Sequence, residues 1–154
     1  MNRCIWLFLV AAVMVSSCDK KESQGDIDER IIQEYLETEG ITNAIRTEFG
    51  VYYAIDSVGD GSGIYPNGNS TVRAQYRGYF TDGTDFDPGN FDDNPINFSL
   101  SQTIVGWQIG MPYFEKGASG KLFIPSAYGY GAQGRSGIPP NSILIFDIKL
   151  HNVY

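Results

Sequence analysis

Residues 71–87 read TVRAQYRGYFTDGTDFD. In the first ten, Val72, Ala74, Tyr76 and Phe80 fall on one side of an extended chain and Arg73, Gln75, Arg77 and Tyr79 on the other. Successive side chains of a strand point to opposite faces, so this spacing predicts a half-buried strand. Asp82-Gly83 then reads as a hairpin turn, because the pair supplies the positive φ that a tight connection needs. Upstream, Val51 to Ile55 alternates in the same way before SVGDGSGIYPNGNS (57–70) supplies a dense set of turn formers. Downstream, 96–100 alternates again, Lys121 to Ile124 is a short apolar strand, and Ile143 to Leu150 is a longer one. Val105 to Met111 carries a tryptophan and few β-breakers and reads as a short helix against the sheet. At least five strands and one short helix predict an α+β fold with an antiparallel sheet, spanning 41–154.

The N-terminal quarter reads differently. Met1 to Arg3 is positively charged, Ile5 to Val15 is an unbroken run of eleven apolar residues, and Ser16-Ser17-Cys18 follows, which is the outline of a signal peptide over 1–17. The run is shorter than the ~20 residues a membrane-spanning helix needs. Val15-Ser16-Ser17-Cys18 resembles a bacterial lipobox, which implies lipidation at Cys18 and an extracytoplasmic, membrane-anchored mature protein. An ordinary cleaved signal is the other reading. Residues 18–26 lack apolar anchors and read as a flexible tether. Over 27–40, Ile31, Ile32, Tyr35 and Leu36 share one helical face, Asp26 with Glu29 offers a loose capping signal, and Gly40 stops the run. That stripe can pack on the following domain or pair with a second copy of itself.

Composition narrows the chemistry. Eleven Lys and Arg against eighteen Asp and Glu give a net charge of −7, so the basic footprint needed to neutralise phosphates is missing and nucleic acid is not an expected partner. The single histidine, His151, stands near the end, which leaves little from which to build a Ser-His-Asp, Cys-His or multi-histidine metal centre. Asp85, Asp87, Asp92 and Asp93 suggest calcium, but a loop starting at Asp85 carries Ile96 where its twelfth ligand should be glutamate. No metal and no cofactor are expected. Asp56-Ser57-Val58 resembles a short O-glycosylation sequon of exported bacterial proteins.

Four ordered blocks carry a family resemblance. Tyr76-Arg77-Gly78-Tyr79-Phe80-Thr81-Asp82-Gly83-Thr84-Asp85-Phe86-Asp87 is similar to the Y-x-G-x-x-x-D-G-x-x-F-D signature of FKBP-type peptidyl-prolyl isomerases. Ile104-Val105-Gly106-Trp107, Ile124-Pro125-Ser126-Ala127-Tyr128-Gly129-Tyr130-Gly131 and Ile138-Pro139-Pro140-Asn141-Ser142-Ile143-Leu144-Ile145-Phe146-Asp147 follow in the family's order. The resemblance implies a bent five- or six-stranded antiparallel sheet wrapped around one short helix. It implies an aromatic pocket with Trp107 as floor, Tyr76, Phe86 and Phe146 as walls, Ile104 as a side wall offering its backbone N–H, and Phe98 as a further substrate-binding residue. It further implies that Tyr130 donates its hydroxyl to a substrate carbonyl, that Asp87 acts electrostatically at the pocket edge, and that Ile138 closes the rim. Tyr76, Asp87 and Tyr130 are thus the expected catalytic groups.

Two positions depart from the pattern. Ile96 stands where many members have an aromatic wall, and Thr103 stands where valine is common, adding a hydroxyl beside the pocket. Both bear on the affinity for macrolide inhibitors that the resemblance implies. The chemistry suits the composition: rotation about an X-Pro bond needs no covalent bond to the enzyme, only a dry pocket and a few fixed donors, and the chain has two Trp, ten Tyr and nine Phe. The resulting expectation is a cis/trans isomerase acting on X-Pro segments of exported proteins. A proline-binding module without turnover and a chaperone on the same scaffold are the alternatives.

Overall fold

Strand β3 (Thr71–Tyr79) is the organising element of the structure, a computed structural model that describes residues 21–92 and 94–154. Signal peptide, Cys18 and the first residues of the expected tether lie outside the described residues. One edge of β3 pairs with β7 (Leu144–Val153) in a register that sets Tyr76 opposite Ile148 and Gly78 opposite Phe146. The other edge is shared: β5 (Ile96–Ser99) covers Thr71 to Ala74, and β4 (Asp85–Asp87) pairs with Gly78 and Tyr79. Beyond β7 lie β6 (Ser119–Ile124), β2 (Tyr52–Ser57) and β1 (Ile45–Arg46), giving the order β1-β2-β6-β7-β3-β4 with every pairing antiparallel. The α+β fold read from the sequence is the observed one. Alternation misses β1 and β4 because two and three residues are too few for a period to register.

Helix α2 (Val105–Gly110) runs into a 3-10 turn at Met111–Tyr113 and lies against β6. Its two glycines set that approach: a Cβ on Gly106 would stand 2.3 Å from Ile124 Cγ2, and one on Gly110 2.4 Å from Leu122 Cδ2. The core between them contains Trp107, Met111, Phe114, Leu122, Ile124, Leu144 and Ile148.

Helix α1 (Gln24–Thr38) covers the opposite face of the sheet. Ile32 and Leu36 pack on Tyr52, Tyr79, Phe123 and Ile145, each such burial worth about 1.5–3 kcal/mol, so the apolar stripe is occupied within the chain. Two corrections follow. The helix starts at Gln24, inside the stretch read as tether: Ser23 accepts from the Asp26 N–H at 3.2 Å while the Asp26 carboxylate accepts from the Ser23 N–H at 3.1 Å. This reciprocal box satisfies two donors that the first turn leaves open, and Asp26 serves as its third-position partner rather than as the cap. Tyr79, read as facing outward with Arg77, is only 7% exposed because α1 roofs that end of the strand.

Candidate functional site

The concave face of the sheet carries a cleft of about 790 Å³. Its floor is Trp107, 3% exposed, presented by the first turn of α2. Three rings stand edge-on to the indole: Tyr76 at 5.5 Å between centroids and 83°, Phe98 at 5.6 Å and 68°, and Phe146 at 5.2 Å and 82°. Edge-to-face contacts align positive ring edges with negative faces and hold the walls beyond what burial alone supplies. Phe86 stands edge-on to Phe146 at 5.5 Å and leans on Phe80 at 5.0 Å. The β3–β7 register brings Tyr76 and Phe146 to the cleft together, β5 adds Phe98, and β4 adds Phe86 with Asp87. Gly78 makes room for the last wall, since a Cβ there would stand 2.7 Å from Phe86 Cζ and 2.9 Å from Phe146 Cε1.

Polar groups lie at the mouth. The Asp87 carboxylate faces the Tyr76 hydroxyl, and burial first, then this negative neighbour, push the Tyr76 phenol above its ordinary range, keeping it protonated. Asp87 is itself fixed by the Gly89 N–H, which donates to its Oδ1 at 3.0 Å. Tyr130 accepts at its hydroxyl from Arg135 Nη1 at 2.9 Å, and the guanidinium lies over the same ring, 5.0 Å from its centroid. The phenol oxygen is thereby held while its own proton stays available for donation.

Every pocket residue expected from the sequence lines this cleft: Tyr76, Phe86, Asp87, Ile96, Phe98, Thr103, Ile104, Trp107, Tyr130, Ile138 and Phe146. Ile138 is 7% exposed at the rim, whereas Ile96 is 46% exposed at the outer lip. Ile104 caps α2 with its carbonyl, accepting from the Trp107 N–H at 3.0 Å, and no described residue accepts from the Ile104 N–H. Thr103 differs from expectation. Its hydroxyl donates to the Leu100 carbonyl at 2.7 Å, so the polarity it adds is spent within the chain.

Ser99, Gln102, Arg135 and Ser136 also line the cleft and were not read from the sequence. Asn90 is a further omission. It fills the gap between β4 and β5 by accepting from the Tyr76 N–H through Oδ1 at 3.1 Å and donating its own N–H to the Tyr76 carbonyl at 3.0 Å. No local pattern marks a loop asparagine as the partner of a strand residue fourteen positions earlier.

A sheet wrapped on one short helix, with an aromatic box over a buried tryptophan, defines the class. The family model for FKBP-type peptidyl-prolyl cis-trans isomerases matches residues 63–151, and the chain belongs to that family. It is 36% identical over 136 residues to the FKBP-type peptidyl-prolyl cis-trans isomerase FkpA of Buchnera aphidicola subsp. Schizaphis graminum, covering 88% of this chain and 52% of that protein. It is 35% identical over 144 residues to FkpA of Escherichia coli K12, covering 93% and 53%. The chain therefore spans about half the length of the curated relatives it matches. Among solved structures, FkpA from Escherichia coli superposes with a TM-score of 0.72 at 32% identity, over 84% of this chain and 60% of that one. A peptidyl-prolyl cis-trans isomerase from Pseudomonas syringae pv. tomato superposes at 0.70 and 28% identity, over 83% and 94%.

Proposed function

We propose that this chain is a peptidyl-prolyl cis-trans isomerase that acts on X-Pro segments of exported proteins from a lipid anchor at Cys18. The observation that carries the reading is the set of three rings standing edge-on around the buried indole of Trp107, with two oriented polar groups at its mouth. The uncatalysed barrier, ~18–20 kcal/mol, is the loss of amide resonance on twisting. An apolar box favours the twisted amide, whose charge separation has collapsed, over the planar amide that water solvates better. In this reading the proline ring rests on Trp107 between Tyr76, Phe98 and Phe146. Tyr130 donates to the carbonyl of the segment and the free Ile104 N–H offers a second donor. Asp87 holds Tyr76 in place and takes no covalent part.

The test is the cis-to-trans rate of a short X-Pro peptide with the full chain and with Tyr130→Phe and Asp87→Ala. Acceleration by the wild type, cut at least several-fold in Tyr130→Phe, is the expected result, since a fixed donor aimed at the twisted amide is lost. A folded wild type that binds the peptide and leaves its rate unchanged would replace the catalytic reading by a proline-binding module. For the anchor, the expressed protein is expected to fractionate with membranes and its Cys18→Ser form with the soluble fraction. A Cys18→Ser form that stays with membranes refutes lipidation there.

A further inference from the structure

Asp28 is a fully buried carboxylate, 1% exposed, on a helix that precedes the segment matched by the family model. Burying a carboxylate costs stability unless its lone pairs are met, and here they are. Oδ1 accepts from Gln24 Nε2 at 2.7 Å, and Oδ2 accepts from both donors of Ser126, the backbone N–H at 2.8 Å and the hydroxyl at 2.6 Å. Ser126, also 1% exposed, opens the 3-10 turn Ser126–Tyr128, and its carbonyl accepts from the Gly129 N–H at 3.0 Å. Gly129 sits where a Cβ would stand 2.8 Å from Leu144 Cδ1, which presses the turn onto β7. The next residue is Tyr130, whose carbonyl accepts from the Gly134 N–H at 3.1 Å and whose hydroxyl takes the Arg135 hydrogen bond. An unbroken run of hydrogen bonds and covalent links thus leads from α1 to the phenol at the mouth of the cleft.

Packing alone does not call for a carboxylate at this contact: an apolar side chain would cover the sheet as well, but it would leave the buried N–H and hydroxyl of Ser126 without an acceptor. What the carboxylate adds is direction: two donors of one residue converge on one oxygen and fix the turn. We propose that Asp28 is a positioning residue for Tyr130, so that α1 is part of the isomerase apparatus as well as a cover for the sheet. The proposal rests on the isomerase reading above and concerns how that site is held.

Four full-chain proteins test it: wild type, Asp28→Asn, Tyr130→Phe and the double variant, assayed on one X-Pro peptide at a temperature where circular dichroism shows each folded. Asp28→Asn keeps the size of the side chain but replaces one acceptor by a donor. It is expected to lower kcat/KM roughly tenfold when Tyr130 is present, as loss of hydrogen bonds to a charged group would, and by much less in the Tyr130→Phe background. Equal losses in both backgrounds, or no loss in either, overturn the proposal. Amide hydrogen exchange gives an arm that needs no substrate. In Asp28→Asn the amides of Gly129 and Gly134 are expected to exchange at least roughly tenfold faster, with those of β7 unchanged; unchanged or uniformly faster exchange overturns the positioning role. A wild type without isomerase activity defeats the functional reading instead, and the exchange arm still decides whether Asp28 holds the Tyr130 turn.

Discussion

Gly78 is where a single methyl group tests how rigidly the pocket walls are held. In Gly78→Ala the new Cβ would lie 2.7 Å from Phe86 Cζ, 2.8 Å from Phe86 Cε2 and 2.9 Å from Phe146 Cε1. Unstrained carbon contacts are ~3.5–4.0 Å, so the rings must retreat by roughly 1 Å in total. Phe146 is already 5.2 Å from Trp107 and 5.5 Å from Phe86 between centroids, so it has no free direction. Overpacking of this kind costs about 1–3 kcal/mol. That is a sizeable part of a domain's usual ~5–15 kcal/mol and still leaves the protein folded. Urea unfolding measures the loss, and kcat/KM on an X-Pro peptide well below the midpoint measures the displaced walls, expected to fall by about tenfold. Gly68→Ala is the control, because nothing lies within 4 Å of its added Cβ, and its stability is expected to stay within about 0.5 kcal/mol of wild type. A Gly78→Ala protein with wild-type stability and activity would refute the claim that Gly78 sets the wall spacing.

Other perturbations bear on the scaffold. The Thr47 hydroxyl is buried and has no hydrogen-bond partner among the described residues, so Thr47→Val is expected to leave stability unchanged or raise it by up to about 1 kcal/mol in urea unfolding; a loss above that would mean the hydroxyl is satisfied. Ile32, 1% exposed where α1 meets the sheet, is expected to cost about 2–5 kcal/mol on replacement by alanine, and a loss under 1 kcal/mol would show α1 to be loosely docked. His151 pairs through Nε2 with Gln75 Oε1 at 2.6 Å, and burial first, then Lys149 and Arg73, hold its pKa below the ordinary 6.5. The unfolded chain therefore takes up this proton first as pH falls, and stability present above pH ~6.5 is lost on descending through the folded pKa. An NMR titration midpoint at or above 6.5 would contradict this.

The sheet was largely legible because its signals are local. Alternation at Val72, Ala74 and Tyr76, the Asp82-Gly83 turn and the glycine-rich loops each act within a few residues, and the four ordered blocks place the aromatic box on one fold. Thr103 shows the limit: the sequence reveals a hydroxyl beside the pocket, but not that the Leu100 carbonyl takes it. The buried state of Tyr79 depends on α1, the partner of the Tyr130 hydroxyl on the fold of the rim loop, and the ties of Asn90 to Tyr76 and of Asp28 to Ser126 on meetings across fourteen and ninety-eight residues. Chain periodicity is set by backbone geometry that each residue meets alone, so sequence by itself determined the five longer strands and the short helix, and the resemblance of the four blocks, not periodicity, marked the residues of the pocket. Which donor finds which acceptor is settled only when strand register and helix docking fix both in space, and that the tertiary structure decided.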